Sequence, residues 1–435
     1  MHRSFVTVTL GVALVGVAAL LSCPDLSAQT LSVPASLGHQ VDEGAAAMVS
    51  RLVETRRDIH RHPELGFREK RTADLVARRL QELGFDEVRT GIGVTGVVGI
   101  LKGGKPGKVV ALRADMDALP IPELNDVPYK STVENVKHAC GHDAHVAIAL
   151  GVAELLSGMR AEIPGTVMVF FQPAEEGDPD GGDTGALRML QDGLFAETKP
   201  EAVFGLHVMP TLDVGTIGYN VGSAMASSDR FKISIVGQKT HAAYPHTGLD
   251  PVPIAAEVIL ALQTIPSRLV NATTPTVVSV GAIHGGNRFN IIADRVELEG
   301  TVRTLTKEGS GQVKALMESL VKGMTSGYGA QYEFEYEQKA PVTYNDPDLT
   351  TASLPVLEAI VGKDALVVPP PQMGAEDFAF YQQETPGFYY FLGVRNEARN
   401  ITAMIHTEQF DLDEEALPIG VRAMSTLLLD FLFRQ

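Results

Sequence analysis

The octapeptide His138-Ala139-Cys140-Gly141-His142-Asp143-Ala144-His145 concentrates side chains that bind metals or carry protons. Three imidazoles, a thiol and a carboxylate stand among alanine and glycine, and such polar groups are costly to bury unless each has a partner. The only other cysteine, Cys23, follows an apolar N-terminal run. If that run is an export signal that is removed, Cys140 has no intramolecular disulfide partner, which leaves packing, reactivity or metal ligation.

Further candidate ligands follow the predicted strands, at the sheet edge where open α/β sheets bind ligands. They are Asp115 and Asp117 after residues 108–114, Glu175 and Glu176 after residues 167–172, His207 at the end of residues 202–207, and His406 after the last strand. A thiolate, imidazoles and paired carboxylates at one edge suit two borderline divalent ions, which can ionise a water for hydrolysis. Each of these residues alone also fits a loop, capping or packing role.

Hydrolysis at paired metals needs a carboxylate that is not fully committed to metal, to accept the proton of the water. The neighbours Glu175 and Glu176 can divide these two tasks. A structural zinc site is usually a closed cage of four ligands, whereas a larger set of candidate ligands with a spare carboxylate favours an open two-metal site.

The order of strands and helices predicts an α/β fold with an inserted second unit. A helical pattern at 45–83, interrupted at 60–64, is followed by alternating strands and helices, which predict a sheet with helices on both faces. The order β-α-β-β-α-β after residue 218 is that of a ferredoxin-like unit. We therefore predict a catalytic domain formed by 45–217 and 339–435, and an inserted domain at 218–338.

The composition is that of a soluble globular protein, with 435 residues, 45% hydrophobic residues and a formal net charge of −17. No long Lys/Arg-rich run is present, so nucleic acid is not an expected partner. Residues 1–28 predict a signal peptide and hence an exported protein, periplasmic or secreted. Cleavage after Ala28 would release it, whereas Leu20-Leu21-Ser22-Cys23 resembles a lipobox that would lipidate Cys23 and anchor the protein to a membrane. An uncleaved anchor is a third alternative.

The chain resembles the amidohydrolase branch of the co-catalytic metallopeptidases related to aminoacylase and carboxypeptidase G, which contains hippurate hydrolase and the plant auxin-conjugate hydrolases. The resemblance runs from about residue 48 to residue 429. It rests on an ordered set of motifs: His60-Arg61-His62-Pro63-Glu64-Leu65, Leu112-Arg113-Ala114-Asp115-Met116-Asp117-Ala118-Leu119-Pro120, His138-Ala139-Cys140-Gly141-His142-Asp143, Phe171-Gln172-Pro173-Ala174-Glu175-Glu176, Gly205-Leu206-His207, Gly374-Ala375-Glu376-Asp377-Phe378, and His406 with Phe410-Asp411-Leu412-Asp413-Glu414.

This resemblance implies a zinc-peptidase-like sheet and a lid or dimerisation domain inserted in it. It implies two divalent metal ions per chain (zinc, manganese, cobalt or nickel) held by Cys140, His142, Glu176, His207 and His406. Glu175 is the implied general base, which takes a proton from the metal-activated water and delivers it to the leaving amine. Asp117 is implied to orient a ligand imidazole, as carboxylates behind metal ligands commonly do.

The resemblance also assigns tasks to the inserted domain. His241 is implied to polarise the substrate carbonyl and stabilise the oxyanion, in its own chain or across a homodimer. Gln238-Lys239-Thr240 stands where small glycines are more usual, which changes the expected backbone there. Arg288 and Asn290 are candidates for binding the substrate carboxylate, with a turn role equally open.

The predicted function is therefore metal-dependent hydrolysis of the amide bond of an N-acyl amino acid or a short peptide. One alternative is a di- or carboxypeptidase of the same family. Another is an exported peptide-binding or metal-binding protein that has lost catalysis, although such a protein would not need both Glu175 and Glu176.

Overall fold

The computed structural model of this chain describes residues 31–434. The predicted signal peptide, its cleavage point and the lipobox Cys23 lie outside these residues. The described part opens with three helices, which are α1 (Ala35–Ala47), α2 (Val49–Arg61) and α3 (Lys70–Glu82). The predicted interruption at 60–64 falls where α2 ends. Helix α1 begins at Ala35, ahead of the helical pattern predicted at 45–83, and it buries Leu37, Val41 and Ala45 along one face.

The next segment alternates strands and helices and supplies most of a large sheet. Its elements are β1 (Glu87–Ile92), β2 (Gly96–Lys102), β3 (Lys105–Asp115), α4 (His142–Gly158), β4 (Pro164–Gln172), α5 (Gly185–Gln191), β5 (Ala202–Asp213) and β6 (Ile217–Gly218). Strand β1, which the sequence did not predict, pairs only with β2 and contains no buried residue. An edge strand of this kind lacks the apolar alternation on which a strand prediction depends.

The inserted segment forms a second sheet. Its elements are β7 (Gly222–Met225), β8 (Ser228–Val236), β9 (Thr240–His241), α6 (Pro251–Leu262), β10 (Thr276–Gly285), β11 (Ile291–Ile292), β12 (Arg295–Thr304), α7 (Gly309–Tyr328) and β13 (Gln331–Ala340). Four strands pair antiparallel in the order β10-β12-β8-β13. Helices α6 and α7 cover one face, where Phe231, Ile233 and Leu298 are fully buried. The ferredoxin-like β-α-β-β-α-β prediction is confirmed.

The chain then returns to the large sheet. The remaining elements of the chain are β14 (Thr343–Asn345), α8 (Pro347–Val361), β15 (Leu366–Val367), α9 (Ala379–Glu384), β16 (Gly387–Arg395) and α10 (Ala416–Phe433). Short 3₁₀ turns lie at Pro245–Thr247, Lys363–Ala365 and Glu397–Arg399, and a π turn lies at Ile265–Leu269. The eight strands run in the order β1-β2-β4-β3-β5-β16-β6-β15, with β4, β3, β5 and β16 parallel.

Helices cover both faces of the large sheet, as predicted for the α/β part of the fold. Helices α1 to α4, α8 and α10 belong to one apolar core, and α5 and α9 pack into the core on the other face. Helix α10 is long and apolar enough to cross a membrane by length and composition, but 72% of that window is buried inside the fold. The chain passes between the two sheets at 225–228 and 340–343, and the predicted domain limits at 218 and 338 stay predictions.

Candidate active site

The predicted metal ligands meet beyond the ends of the parallel strands of the large sheet. Strand β3 ends at Asp115 and β4 at Gln172, so the chain segments that follow them emerge side by side at one edge. Cys140 precedes α4 and His142 is its first residue. The sequence predicted His207 at the end of its strand, but β5 continues to Asp213, so His207 lies inside it. Strand β5 pairs with β3 only as far as Phe204, so His207 lies beyond that pairing and faces the edge.

Two groups of potential ligands share the Cys140 sulfur. One consists of Cys140, His142 and His207, and the other of Cys140, Glu176 and His406, with the ligand atoms of each group within 4.8 Å of one another. Tetrahedral and five-coordinate sites of thiolate, imidazole and carboxylate suit zinc and similar divalent ions. A ligand that bridges two ions must belong to both groups, and the Cys140 sulfur meets this requirement.

The two buried histidines each present the Nε2 atom to this space. His142 Nδ1 lies 2.9 Å from the Asp117 carbonyl oxygen and 3.1 Å from its Oδ1, and within residues 31–434 its buried Nε2 has no hydrogen-bond partner. His207 Nδ1 lies 2.6 Å from the Val208 carbonyl oxygen, and its Nε2 lies 3.3 Å from Cys140 Sγ. An imidazole whose Nδ1–H donates to oxygen has its Nε2 lone pair available for a metal.

Asp117 connects two of the candidate ligands. One carboxylate oxygen faces the His142 ring, and the other accepts a hydrogen bond from the Glu176 backbone N–H at 3.0 Å. The side chain is almost completely buried. Asp117 therefore holds both candidate ligands at fixed positions, which is the geometry that an orienting carboxylate needs.

The electrostatics of the site fit divalent cations. Burial and the carboxylates of Glu176, Glu175 and Asp115 raise the pKa of the Cys140 thiol well above its usual range. Burial lowers the pKa of His142, but Asp115 and Asp117 outweigh this effect and raise it to about 10. Such a concentration of acidic groups around a buried thiol is compensated when a cation binds the deprotonated donors.

Glu175 remains uncommitted beside the ligands. In residues 31–434 its carboxylate makes no hydrogen bond or ion pair, and it lies within 4.8 Å of ligand atoms of His142 and Glu176. Burial raises the pKa of Glu175 well above its usual range, as do the carboxylates of Glu376, Glu176 and Asp377, against the opposing charge of Arg113. A carboxylate with a raised pKa is a stronger base and can also return a proton.

His406 reaches the site from the loop after β16. It adopts a left-handed conformation with φ of 61°, which is uncommon for a residue with a side chain. Its backbone N–H donates to the Ala139 carbonyl at 2.8 Å, and its Nε2 lies 3.0 Å from Glu176 Oε1. Interaction with Glu176 raises the pKa of His406. This backbone strain is maintained because the loop is tied directly to the segment that carries Cys140.

Asp115 is committed to a separate buried network. It pairs with the Arg113 guanidinium at 2.5 Å, and its other oxygen lies 2.6 Å from His145 Nδ1. His145 Nε2 in turn accepts a hydrogen bond from the Val208 N–H at 3.0 Å. Burial raises the pKa of Asp115, but Arg113 and the two neighbouring histidines hold it well below its usual range. The network joins β3, α4 and β5 behind the candidate ligands.

A cavity of about 680 Å³ opens in front of the ligands and is lined on its far side by the inserted sheet. Cys140, Glu175, Glu176, His207 and His406 line one wall, and the cationic side chains Arg230, Arg303 and Lys339 line the other. Arg230 and Lys339 pair with Glu299 and Glu337, whereas Arg303 is half-buried and forms no ion pair within residues 31–434. These cations are not recognisable from the sequence, because a charged residue on the open face of a strand carries no distinctive pattern.

The residues predicted in the inserted unit do not line this cavity. His241 is exposed on β9, which pairs with β11, and its Nδ1 accepts a hydrogen bond from the Ala243 N–H at 3.1 Å. The Asn290 backbone oxygen accepts from the Ala242 N–H at 3.1 Å, as a turn residue would. Arg288 lines a separate surface depression. A single chain thus brings together the five predicted ligands and Glu175, but not these three residues.

Comparison with known proteins places this architecture in a family. The profile of peptidase family M20/M25/M40 matches residues 111–430. Thermostable carboxypeptidase 2 of Saccharolobus solfataricus is 40% identical over 382 residues, covering 87% of this chain and 95% of the relative. N-acetylcysteine deacetylase of Bacillus subtilis is 39% identical over 381 residues, covering 88% and 97%. The Bacillus subtilis YXEP protein, whose crystal structure is described as a dinuclear metal binding peptidase from the M20 family, has 38% identity and a TM-score of 0.76, with 89% and 99% covered.

Proposed function

The chain belongs to peptidase family M20/M25/M40, and from this premise we propose that it is an amidohydrolase with two divalent metal ions that cleaves N-acyl amino acids or short peptides. Its relatives with about 40% identity are hydrolases of peptides or acyl-amino acids by name. The observation that carries the proposal is the Cys140 sulfur shared by two ligand groups, with the uncommitted Glu175 beside them.

The residues of the chain divide the reaction between them. Cys140, His142, Glu176, His207 and His406 would hold the ions, which when bound polarise the amide carbonyl and make a water more acidic. Glu175 takes a proton from this water as the oxygen adds to the carbonyl carbon. When the carbon–nitrogen bond breaks, Glu175 delivers the proton to the leaving amine, so that a carboxylic acid and an amine are formed.

The first test is the substitution Glu175→Gln, which retains the size of the side chain but removes the base. We expect metal content to stay near two ions per chain, while kcat falls by about 10²- to 10⁴-fold. Metal analysis and hydrolysis of a panel of N-acyl amino acids and dipeptides measure both quantities. A parent protein that binds metal but cleaves no compound of the panel would favour the binding-protein alternative.

A free carboxylate is the substrate group that the cationic wall favours. Arg303 on β12 lines the same cavity as Glu175 and the ligands, and within residues 31–434 it forms no ion pair. A guanidinium binds a carboxylate through two parallel hydrogen bonds. Both an N-acyl amino acid and the C-terminus of a peptide carry this group, so this feature is compatible with an acylase and with a carboxypeptidase.

The substitution Arg303→Met tests this part of the proposal. We expect KM for N-acyl amino acids to rise by about tenfold or more, with little change for the corresponding amino acid amides. Arg295→Met is the matched control, because Arg295 lies on the same strand but pairs with Glu333. Comparison of N-acetylated and N-terminally free substrates separates the acylase from the peptidase; cleavage of free peptides alone would overturn the N-acyl preference.

We also propose that His241, Arg288 and Asn290 act in the site of a second copy within a homodimer. In support, His241 is exposed on its own chain, and the neighbouring Phe289 is 96% exposed, which is unusual for a large apolar side chain. The metal-site cavity of the same chain has none of the three residues in its lining.

Coexpression of Glu175→Gln and His241→Ala chains tests this assignment. Each variant alone is expected to be nearly inactive. If His241 acts across the dimer, half of the mixed dimers' sites contain both intact residues, and activity reappears. If His241 acts within its own chain, every site in the mixture lacks one of the two residues, and no activity is recovered.

Export remains part of the proposal and rests on the N-terminal sequence alone. The apolar run 5–21, flanked by Arg3 and Cys23, has the organisation of a signal peptide. N-terminal sequencing of the mature protein from fractionated cells distinguishes cleavage after Ala28 from lipidation at Cys23. Full-length protein found only in the cytoplasm would contradict export.

A further inference from the structure

The turn that carries Glu175 and Glu176 begins with a strained residue. Ala174 has φ of 47°, a left-handed conformation that is unfavourable for a residue with a Cβ atom. Its carbonyl accepts hydrogen bonds from the Gly177 N–H at 3.2 Å and the Gly185 N–H at 2.9 Å. Such strain persists only where the surrounding structure fixes the backbone. The direction of both glutamates therefore depends on what holds Ala174.

The side chain of Glu69 holds the Ala174 amide. Glu69 is fully buried, and its Oε1 accepts a hydrogen bond from the Ala174 N–H at 2.8 Å. Its other oxygen accepts a hydrogen bond from the Thr95 hydroxyl at 2.5 Å. A buried carboxylate is costly, and both of its hydrogen bonds are directed away from its own helix.

Helix α3 does not need this carboxylate. Glu69 occupies the N-cap position of α3, but its side chain makes no capping hydrogen bond. Instead, Glu64 accepts from the N–H groups of Arg71 and Thr72, both at 2.9 Å. Because Glu64 already satisfies the first turn of the helix, the placement of Glu69 beneath the turn is not explained by helix stability.

The same loop packs closely against the turn at a second point. A Cβ atom added at Gly66 would lie 2.4 Å from the Gly177 carbonyl oxygen and 3.0 Å from the Ala174 Cβ. The loop between α2 and α3 therefore follows the shape of the turn. This loop follows His62-Pro63-Glu64-Leu65 and has no role in the metal binding or proton transfer described above.

We propose that Glu69 is a positioning residue for hydrolysis, which fixes the left-handed Ala174 so that Glu175 faces the substrate and Glu176 the ligand group. This inference rests on the proposed function and extends it to a residue outside the cavity. Within the described residues Glu69 makes no hydrogen bond to a metal ligand; it holds the turn through the Ala174 N–H, and its carboxylate also lies close enough to Asp117 to interact with it electrostatically.

Three substitutions test the proposal by steady-state kinetics. Glu69→Ala removes the acceptor, and we expect kcat to fall by about 10- to 100-fold with KM within about twofold, as for other groups that orient a site. Glu69→Gln retains an acceptor oxygen for the Ala174 N–H and is expected to restore most of kcat. Thr95→Val removes only the contact that orients the carboxylate and is expected to have a smaller effect of a few-fold.

Glu64→Ala is the control for a merely structural role. It weakens the start of the same helix without touching Ala174, so it should lower the melting temperature yet retain kcat below that temperature. An equal loss of kcat in Glu64→Ala, no recovery in Glu69→Gln, or a kcat of Glu69→Ala within twofold of the parent would each overturn the proposal.

Hydrogen exchange of the metal-free protein provides a readout that does not depend on activity. The Ala174 amide should exchange at least about tenfold faster in Glu69→Ala than in the parent, because it loses its acceptor. Equal exchange in the two proteins would contradict the role of Glu69 even if the enzyme is active. An inactive parent, or an active Glu175→Gln protein, would instead contradict the proposed function, and the exchange experiment distinguishes the two failures.

Discussion

Cys140 and His142 carry protons that a metal must displace. The pKa of the Cys140 thiol is raised by burial and by the surrounding carboxylates, and His142 has a pKa of about 10. Both side chains are therefore protonated at neutral pH before metal binds. His207 differs, because burial and the neighbouring His145 lower its pKa to about 3, so it is neutral and ready to bind. Metal binding at this site is consequently coupled to proton release.

We predict that metal affinity rises with pH across the neutral range. Binding at pH 7 should release at least about two protons per chain, from the Cys140 thiol and the imidazolium of His142, with a further contribution from His406, whose pKa is also raised. Isothermal titration calorimetry in buffers of different ionisation enthalpy measures this number directly. Equal heats in all buffers would show that both ligands are already deprotonated.

Asp117 gives a second prediction at the scale of one residue. In Asp117→Asn an N–H donor replaces one of the two acceptor oxygens, so either the Glu176 amide loses its partner or His142 keeps only the backbone carbonyl of residue 117. We expect metal affinity to fall by about 10- to 100-fold. Competition with a coloured chelator measures the change, and Asp126→Asn, at an exposed position outside the site, is the control. Unchanged affinity in Asp117→Asn would refute the orienting role.

The residues of the site were predictable where chemistry alone distinguishes them. A thiol, imidazoles and adjacent glutamates after predicted strands indicated metal ligands and a general base from residue type and spacing alone. Arg303 and Glu69 were not predictable in this way, because an arginine on a strand and a glutamate before a helix are common. Glu69 is important because the fold places the Ala174 amide next to it. Arg303 is important because it forms no ion pair within residues 31–434.

At the scale of elements, the start of α4 depends on one glycine. Gly141 has φ of 91°, and a Cβ atom there would lie 2.3 Å from Val208 Cγ2. Both the conformation and the contact exclude a larger residue. The turn between Cys140 and His142 is thus possible only because glycine separates them.

We predict that Gly141→Ala lowers stability and metal affinity together. The cost should be at least about 1 kcal/mol, since a left-handed conformation and a steric overlap add. Gly158→Ala, at the other end of α4, is the matched control, because a Cβ atom there meets nothing within 4 Å. Thermal melting and metal analysis of both variants provide the comparison, and equal behaviour of the two would contradict this account.

The elements themselves were predictable in proportion to their burial. The element order of the inserted unit was predicted correctly, because strands such as β8 and β12 alternate buried and more exposed residues. Helix α1, the edge strand β1 and the six-residue α9 were missed. Each is short or partly exposed, so its sequence pattern is weak, and tertiary packing rather than local preference fixes it.

At the scale of the whole molecule, the candidate ligands come from four distant chain segments. These are the start of α4, the turn after β4, the middle of β5 and the loop after β16. Such a set exists only in the folded chain, so metal binding stabilises the native state and not the unfolded one.

We therefore predict that chelation lowers the melting temperature and that the melting temperature rises with free metal concentration. At a free metal concentration 100 times Kd the stabilisation per independent site should be about 2.7 kcal/mol. Differential scanning calorimetry in metal-buffered solutions measures it. A melting temperature that does not depend on metal concentration would contradict the assembly of these ligands into a metal site.

The position of β16 has a consequence for how the chain is made. This strand lies between β5 and β6, although the whole inserted unit separates it from them in the sequence. Helix α10, which helps to cover one face of the same sheet, follows β16 in the chain. As the ribosome releases the chain from its N-terminus, the central sheet keeps an open gap and an uncovered apolar face until the last strand and helix emerge. A chain in which either element has not yet formed therefore exposes apolar surface and is prone to aggregation.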